Sequence, residues 1–100
     1  MSEASITHAE EEIIMFVILT YDVNVKRVAK VRKTCIRYLT WVQNSVFEGS
    51  ITDARLSRLK KDLYKLIDVE KDNIRIYRLD NIRYSTLEVV GKVVDSDTII

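Results

Sequence analysis

Apolar residues run without a break from Ile13 to Leu19, and the β-branched and aromatic character carries on to Tyr21, which predicts a central strand covered on both faces or at least deep in a sheet. The period then changes. From Val25 to about Leu39, apolar residues recur at Val25, Val28, Val31, Cys35, Ile36 and Leu39, one stripe of a helix that Asn24 is placed to cap. "WVQNSVF", Trp41 to Phe47, is strand-like, with Val42 and Val46 on one side and Trp41, Ser45 and Phe47 on the other; a turn is expected at Glu48-Gly49. Thr52 reads as the cap of a second helix, with Asp53 in its first turn and the stripe Leu56, Leu59, Leu63, Leu66 and Ile67. After the polar break "EKDN", "IRIYRL" alternates as a strand, and "STLEVVG" reads as another that ends at Gly91. The final "VVDSDTII" is expected to be a short strand on a sheet edge, its own or a partner's.

The order is therefore strand, helix, strand, helix, strand, strand. If "WVQNSVFEGS" is a long strand or a bent pair, the chain becomes βαββαβ, the split arrangement of ferredoxin-like folds. Otherwise the last strands close the same sheet. Either way the expected class is α+β, a sandwich of one antiparallel sheet with two helices on one face, plus the short C-terminal strand. Residues 1–12, "MSEASITHAEEE", are polar and without period, so they are expected to form a flexible extension before one domain over 13–100. Met15 sits where a native chain could begin, so the extension reads as a foreign remnant or the product of an upstream start codon.

Composition agrees with an ordered domain: 47% of the 100 residues are hydrophobic, 31% are charged, and there is no proline. The longest apolar run is too short to span a bilayer and no basic segment precedes it, so a soluble cytoplasmic protein without a membrane partner is expected. The single cysteine, Cys35, lies on the apolar stripe of the first helix and is read as a small core residue. His8, the sole histidine, has no His or Cys nearby to share a metal and is set aside.

Net charge is +1, but Glu3, Glu10, Glu11 and Glu12 carry four negative charges within the first twelve residues. From Ile13 onward, sixteen basic residues stand against eleven acidic ones, so the body carries +5 and invites a polyanionic partner. Lys26, Arg27, Lys30, Arg32, Lys33 and Arg37 crowd the first helix, and no acidic residue lies between Lys26 and Arg37. A charge-rich face is ordinarily just solvated. Like charges this dense nevertheless destabilise a helix, and a bound polyanion would relieve them. The second helix, with Arg55, Arg58, Lys60, Lys61 and Lys65, is punctuated by Asp53 and Asp62 and followed by Asp68.

The residue that most invites chemistry is Asp22, delivered by "YDV" at the end of the first strand. An acid there can cap the following helix, but Asn24 is placed to do so, which weakens the need for Asp22 as a cap and leaves metal ligation open.

"ILTYDV", then "KRVAKV", then "WVQNSVFEG" before a Leu-spaced helix and "IRIYRL" resemble the CRISPR-associated Cas-two family, the small nuclease-like partner of the spacer integrase. The resemblance covers the chain from about Met15 onward, and "QNSVFEG" at its distance behind "YDV" is its most specific piece. It implies a ferredoxin-like homodimer in which Asp22 of each protomer holds one shared divalent metal, Mg²⁺ with Mn²⁺ as the alternative. Phosphodiester hydrolysis would follow, with Asp22 as the catalytic carboxylate. Tyr21, Ser45 and Phe47 are implied to lie near that site, and Arg27 matches a basic position of the family. Many members carry a base just before the Val-Gln pair where this chain has Trp41, which would pack or stack on a nucleobase. The implied partners are CRISPR integrase subunits bridged by the dimer, and duplex DNA or single-stranded RNA. A non-catalytic DNA scaffold and a toxin-like single-strand ribonuclease are the rival functions.

Overall fold

The computed structural model describes residues 13–81 and 84–92. Chain order is β1 (Ile14–Asp22), α1 (Val25–Ile36), β2 (Thr40–Gln43), β3 (Val46–Thr52), α2 (Asp53–Leu66), β4 (Asn73–Asn81) and β5 (Tyr84–Gly91). The strands form one sheet in the order β2-β3-β1-β4-β5, and every neighbouring pair is antiparallel. The first six of these elements make the βαββαβ unit, and β5 extends its sheet beyond β4.

Burial alternates along β1, so its two faces part company. Met15, Val17, Leu19 and Tyr21 point inward and meet Phe47 and Ile51 of β3 and Ile74 and Ile76 of β4. Val31 and Cys35 of α1 and Leu56, Leu59 and Leu63 of α2 close this core from the helix side. Phe16, Ile18, Thr20 and Asp22 point the other way, beside Arg75, Tyr77 and Leu79 of β4 and Leu87 of β5. Among the described residues no helix covers that second face, and Phe16 is 38% and Leu87 42% exposed.

Several boundaries differ from the sequence expectation. The helix expected to reach Leu39 stops at Ile36, and a turn then returns Leu39 to the core by its bond to the Cys35 carbonyl. Val25 and Ile36, both expected on the apolar stripe, are 83% and 51% exposed. The stripe that buries is Val31, Thr34 and Cys35, with Val28 packed beside it. "WVQNSVF" is a hairpin and not one strand. Asn44 takes φ +44°, a conformation an asparagine tolerates, and makes the two-residue turn with Ser45. The turn expected at Glu48-Gly49 is absent. Gly49 lies inside β3 opposite Val17, extended at φ +155°, where few side chains fit. The N-terminal extension with His8, and the C-terminal strand expected over "VVDSDTII", lie outside the described residues.

Candidate active site

β1 carries Asp22 to its end, exposed and on the open face, opposite Asn73 of β4. Among the described residues no ion pair or side-chain hydrogen bond engages its carboxylate. Asn24, not Asp22, caps α1: its Oδ1 accepts from the Lys26 amide at 2.9 Å. The acid at the strand end is thus free of the structural task most often given to such a residue.

The loop that follows is held by a carboxylate outside the sequence-derived site. Asp72 is buried and accepts from Arg27 Nε at 2.5 Å, Arg27 Nη2 at 3.0 Å, the Asn24 amide at 3.0 Å and the Asp68 amide at 2.9 Å. These donors, the Arg27 guanidinium first, lower its pKa to about 2 against the opposing effect of burial. Asp72 therefore clamps the β1–α1 loop to the approach of β4. Only its place just before a strand hinted at this. It sits inside a polar break that reads as plain loop.

Beside Asp22 lies a cavity of about 300 Å³ lined by Tyr21, Asp22, Val23, Val28, Arg32, Asn44 and Ser45. The hairpin turn forms one wall because the Tyr21 amide donates to the Ser45 carbonyl at 3.2 Å. Tyr21 and Ser45 thus meet at Asp22. Phe47, placed near the site by the sequence, is fully buried and absent from the cavity lining; it stacks under Tyr21 at 6.1 Å between ring centroids. Burial raises the Tyr21 pKa above its ordinary 10.0, with Cys35 adding to the rise and Arg32 opposing it, so the hydroxyl keeps its proton at neutral pH. Trp41 is 47% exposed, stacks on Phe47 at 6.5 Å, and donates from Nε1 to the Asn44 carbonyl at 2.9 Å. The guanidinium of Arg32 lies over its ring, 5.2 Å from the centroid.

The basic face of α1 divides. Arg27 is committed to Asp72, and Arg37 pairs with Asp62 at 3.5 Å, so acids from other elements neutralise two of the six cations. Lys26, Lys30 and Lys33 are exposed, and no carboxylate pairs with them or with Arg32 among the described residues.

An α+β protein of ferredoxin-like topology, with a free carboxylate at the end of its first strand, is the class this geometry defines. The sequence profile of the family described as CRISPR associated protein Cas2 matches residues 15–87, and the chain belongs to that family. The chain is similar to the CRISPR-associated endoribonuclease Cas2 of Thermotoga maritima, 46% identical over 77 residues that cover 77% of this chain and 88% of that one. The protein of the same name from Dictyoglomus turgidum is 42% identical over 77 residues, with the same coverage of 77% and 88%. Among solved structures, a crystal structure of Cas2 superposes with a TM-score of 0.65 at 43% identity, covering 79% of this chain and 88% of that chain. Streptococcus pyogenes Cas2 superposes with a TM-score of 0.59 at 45% identity, covering 63% and 83%.

Among the described residues no group of three His, Cys, Asp or Glu side chains could hold a metal. At the cavity, Asp22 is the one carboxylate among the described residues. Such a donor suits Mg²⁺, which is held by one or two carboxylates with water and phosphate oxygens completing its shell. No helix among the described residues is long and apolar enough to cross a membrane.

Proposed function

We propose that the protein is a metal-dependent phosphodiester nuclease of CRISPR adaptation that works as a homodimer, with one Asp22 from each protomer on a shared Mg²⁺ or Mn²⁺ site. The observation that carries this is the position of Asp22: exposed, without a side-chain partner among the described residues, and on the same sheet face as Phe16 and Ile18, away from the helices. If two such faces pack about a two-fold axis, the interface is isologous, and the two carboxylates at matching strand ends approach each other. The relatives named endoribonucleases make RNA the first substrate to try.

In this site the Asp22 pair would hold the metal, which when bound would polarise the phosphodiester and lower the pKa of a water. The lysines of α1 draw the strand in by its phosphates. Ser45 and Tyr21, both at the cavity lining, carry hydroxyls that can hydrogen-bond. The Asp72–Arg27 clamp keeps the β1–α1 loop in place, so Arg27 acts as a positioning residue and not as a phosphate contact.

A second function is favoured by the single ligating side chain and by the three free lysines: a non-catalytic dimer that bridges integrase subunits and grips duplex DNA through its phosphates. Cleavage of labelled single-stranded RNA and duplex DNA, with Mg²⁺ and with chelator, by wild type and Asp22→Asn separates the two. The nuclease requires metal-dependent cleavage that the variant loses. The scaffold requires no cleavage by either protein and equal, salt-sensitive duplex binding.

A further inference from the structure

The cavity beside Asp22 has more structure than a metal site needs. At about 300 Å³ it stands at the lower end of small-ligand pockets, which run from about 300 to 1,000 Å³. Val23 and Val28 are apolar members of the lining, while Asn44 and Ser45 are polar residues whose side chains can both donate and accept. Arg32 lies over Trp41 with no carboxylate partner among the described residues, and it lines the same cavity. A small anion is a poor occupant because Asp22 forms part of the lining. A neutral, planar heteroaromatic ring is a good one: it stacks on guanidinium and apolar surface, and its edge satisfies an asparagine.

We propose that this cavity is a nucleobase site that receives one unstacked base from the nucleotide next to the phosphate at Asp22, with Arg32 as the stacking surface and Asn44 reading the base edge. It rests on the nuclease function proposed above and adds a substrate preference. A base inside a duplex is stacked on its neighbours and cannot enter, so the site selects strands whose bases are free. It also explains how the chain manages with Trp41 in place of a basic residue. The exposed indole carries a guanidinium brought by α1, so positive charge reaches the rim of the cavity from another element.

Trp41 is the sole tryptophan in the chain, and its contact with Arg32 makes it a reporter of the site. The test is a titration of Trp41 emission with a five-nucleotide single-stranded RNA and with a blunt RNA duplex, in chelator, using the Asp22→Asn protein so that nothing is cut. The expected result is a saturable change with the single strand and none with the duplex. Arg32→Ala should weaken single-strand binding about tenfold, the scale of one lost base stack. Asn44→Gly, which fits the φ +44° of the turn, should weaken it several-fold with the circular dichroism unchanged. Equal responses to single strand and duplex, no response to either, or unaltered affinity in both variants would overturn the proposal. Because metal and cleavage are excluded, the nuclease function is tested apart from this one. An inactive wild type with the expected emission pattern leaves the base site standing; an active one without that pattern removes it.

Discussion

Asp72 binds Arg27 through both carboxylate oxygens, Nε to Oδ2 at 2.5 Å and Nη2 to Oδ1 at 3.0 Å, and the pair joins the start of α1 to the approach of β4. Two backbone amides complete the acid's shell, so a buried charge is fully satisfied. Removing the acid leaves Arg27 and both amides without their acceptor. Asp72→Ala should therefore lose about 3 kcal/mol of stability in urea. Asp22→Asn, at an exposed side chain without a partner among the described residues, should stay within about 0.5 kcal/mol of wild type.

The same pair sets an acid limb. The Asp72 pKa is about 2 in the fold and about 3.9 in an unfolded chain, so its contribution is complete above about pH 5. As pH falls from there toward 2, the unfolded chain takes up the proton first and the contribution is lost. Urea midpoints measured across that range should fall more steeply for wild type than for Asp72→Asn.

Phe16, Ile18 and Leu87 leave an apolar patch on the face of the sheet away from the helices. If that face is the dimer interface, Phe16→Glu places a charge within it. Sedimentation or light scattering should then report a monomer, with the circular dichroism of the fold retained.

Lys26, Lys30 and Lys33 are the α1 cations without a carboxylate partner among the described residues, apart from Arg32 over Trp41. Replacing the three by glutamine should reduce the slope of log affinity for duplex DNA against log salt by about 2.7, the share of three phosphate contacts. Arg37→Gln, which removes an ion pair to Asp62, should change that slope by less than any one lysine.

Where local pattern and tertiary packing ask for the same thing, the chain was readable. The unbroken apolar run marks β1 as a central strand, though only one of its faces is buried, and Asn24 and Thr52 cap the helices by side-chain bonds to Lys26 and Arg55. The Leu56, Leu59 and Leu63 stripe buries as its spacing predicts. The hairpin was harder, because the turn-prone Asn44 sits inside a strand-like run and a glycine inside a strand runs against the usual signals. Gly49 looks like a turn until its place opposite Val17 is known. Pairing of charges is invisible along a helix when the partners arrive from elsewhere. Asp72 lies 45 residues from Arg27, and Asp62 reaches Arg37 from α2. The cavity beside Asp22 needs four segments to meet, so Asn44 and Arg32 could not be linked before the fold was known.

The most direct test of the central claim is the stoichiometry of Mn²⁺ bound per chain, read by electron paramagnetic resonance of the free ion during titration. A site shared by two Asp22 carboxylates predicts one ion per two chains in wild type and none at the same affinity in Asp22→Asn. One ion per chain, or binding that survives in the variant, would contradict it.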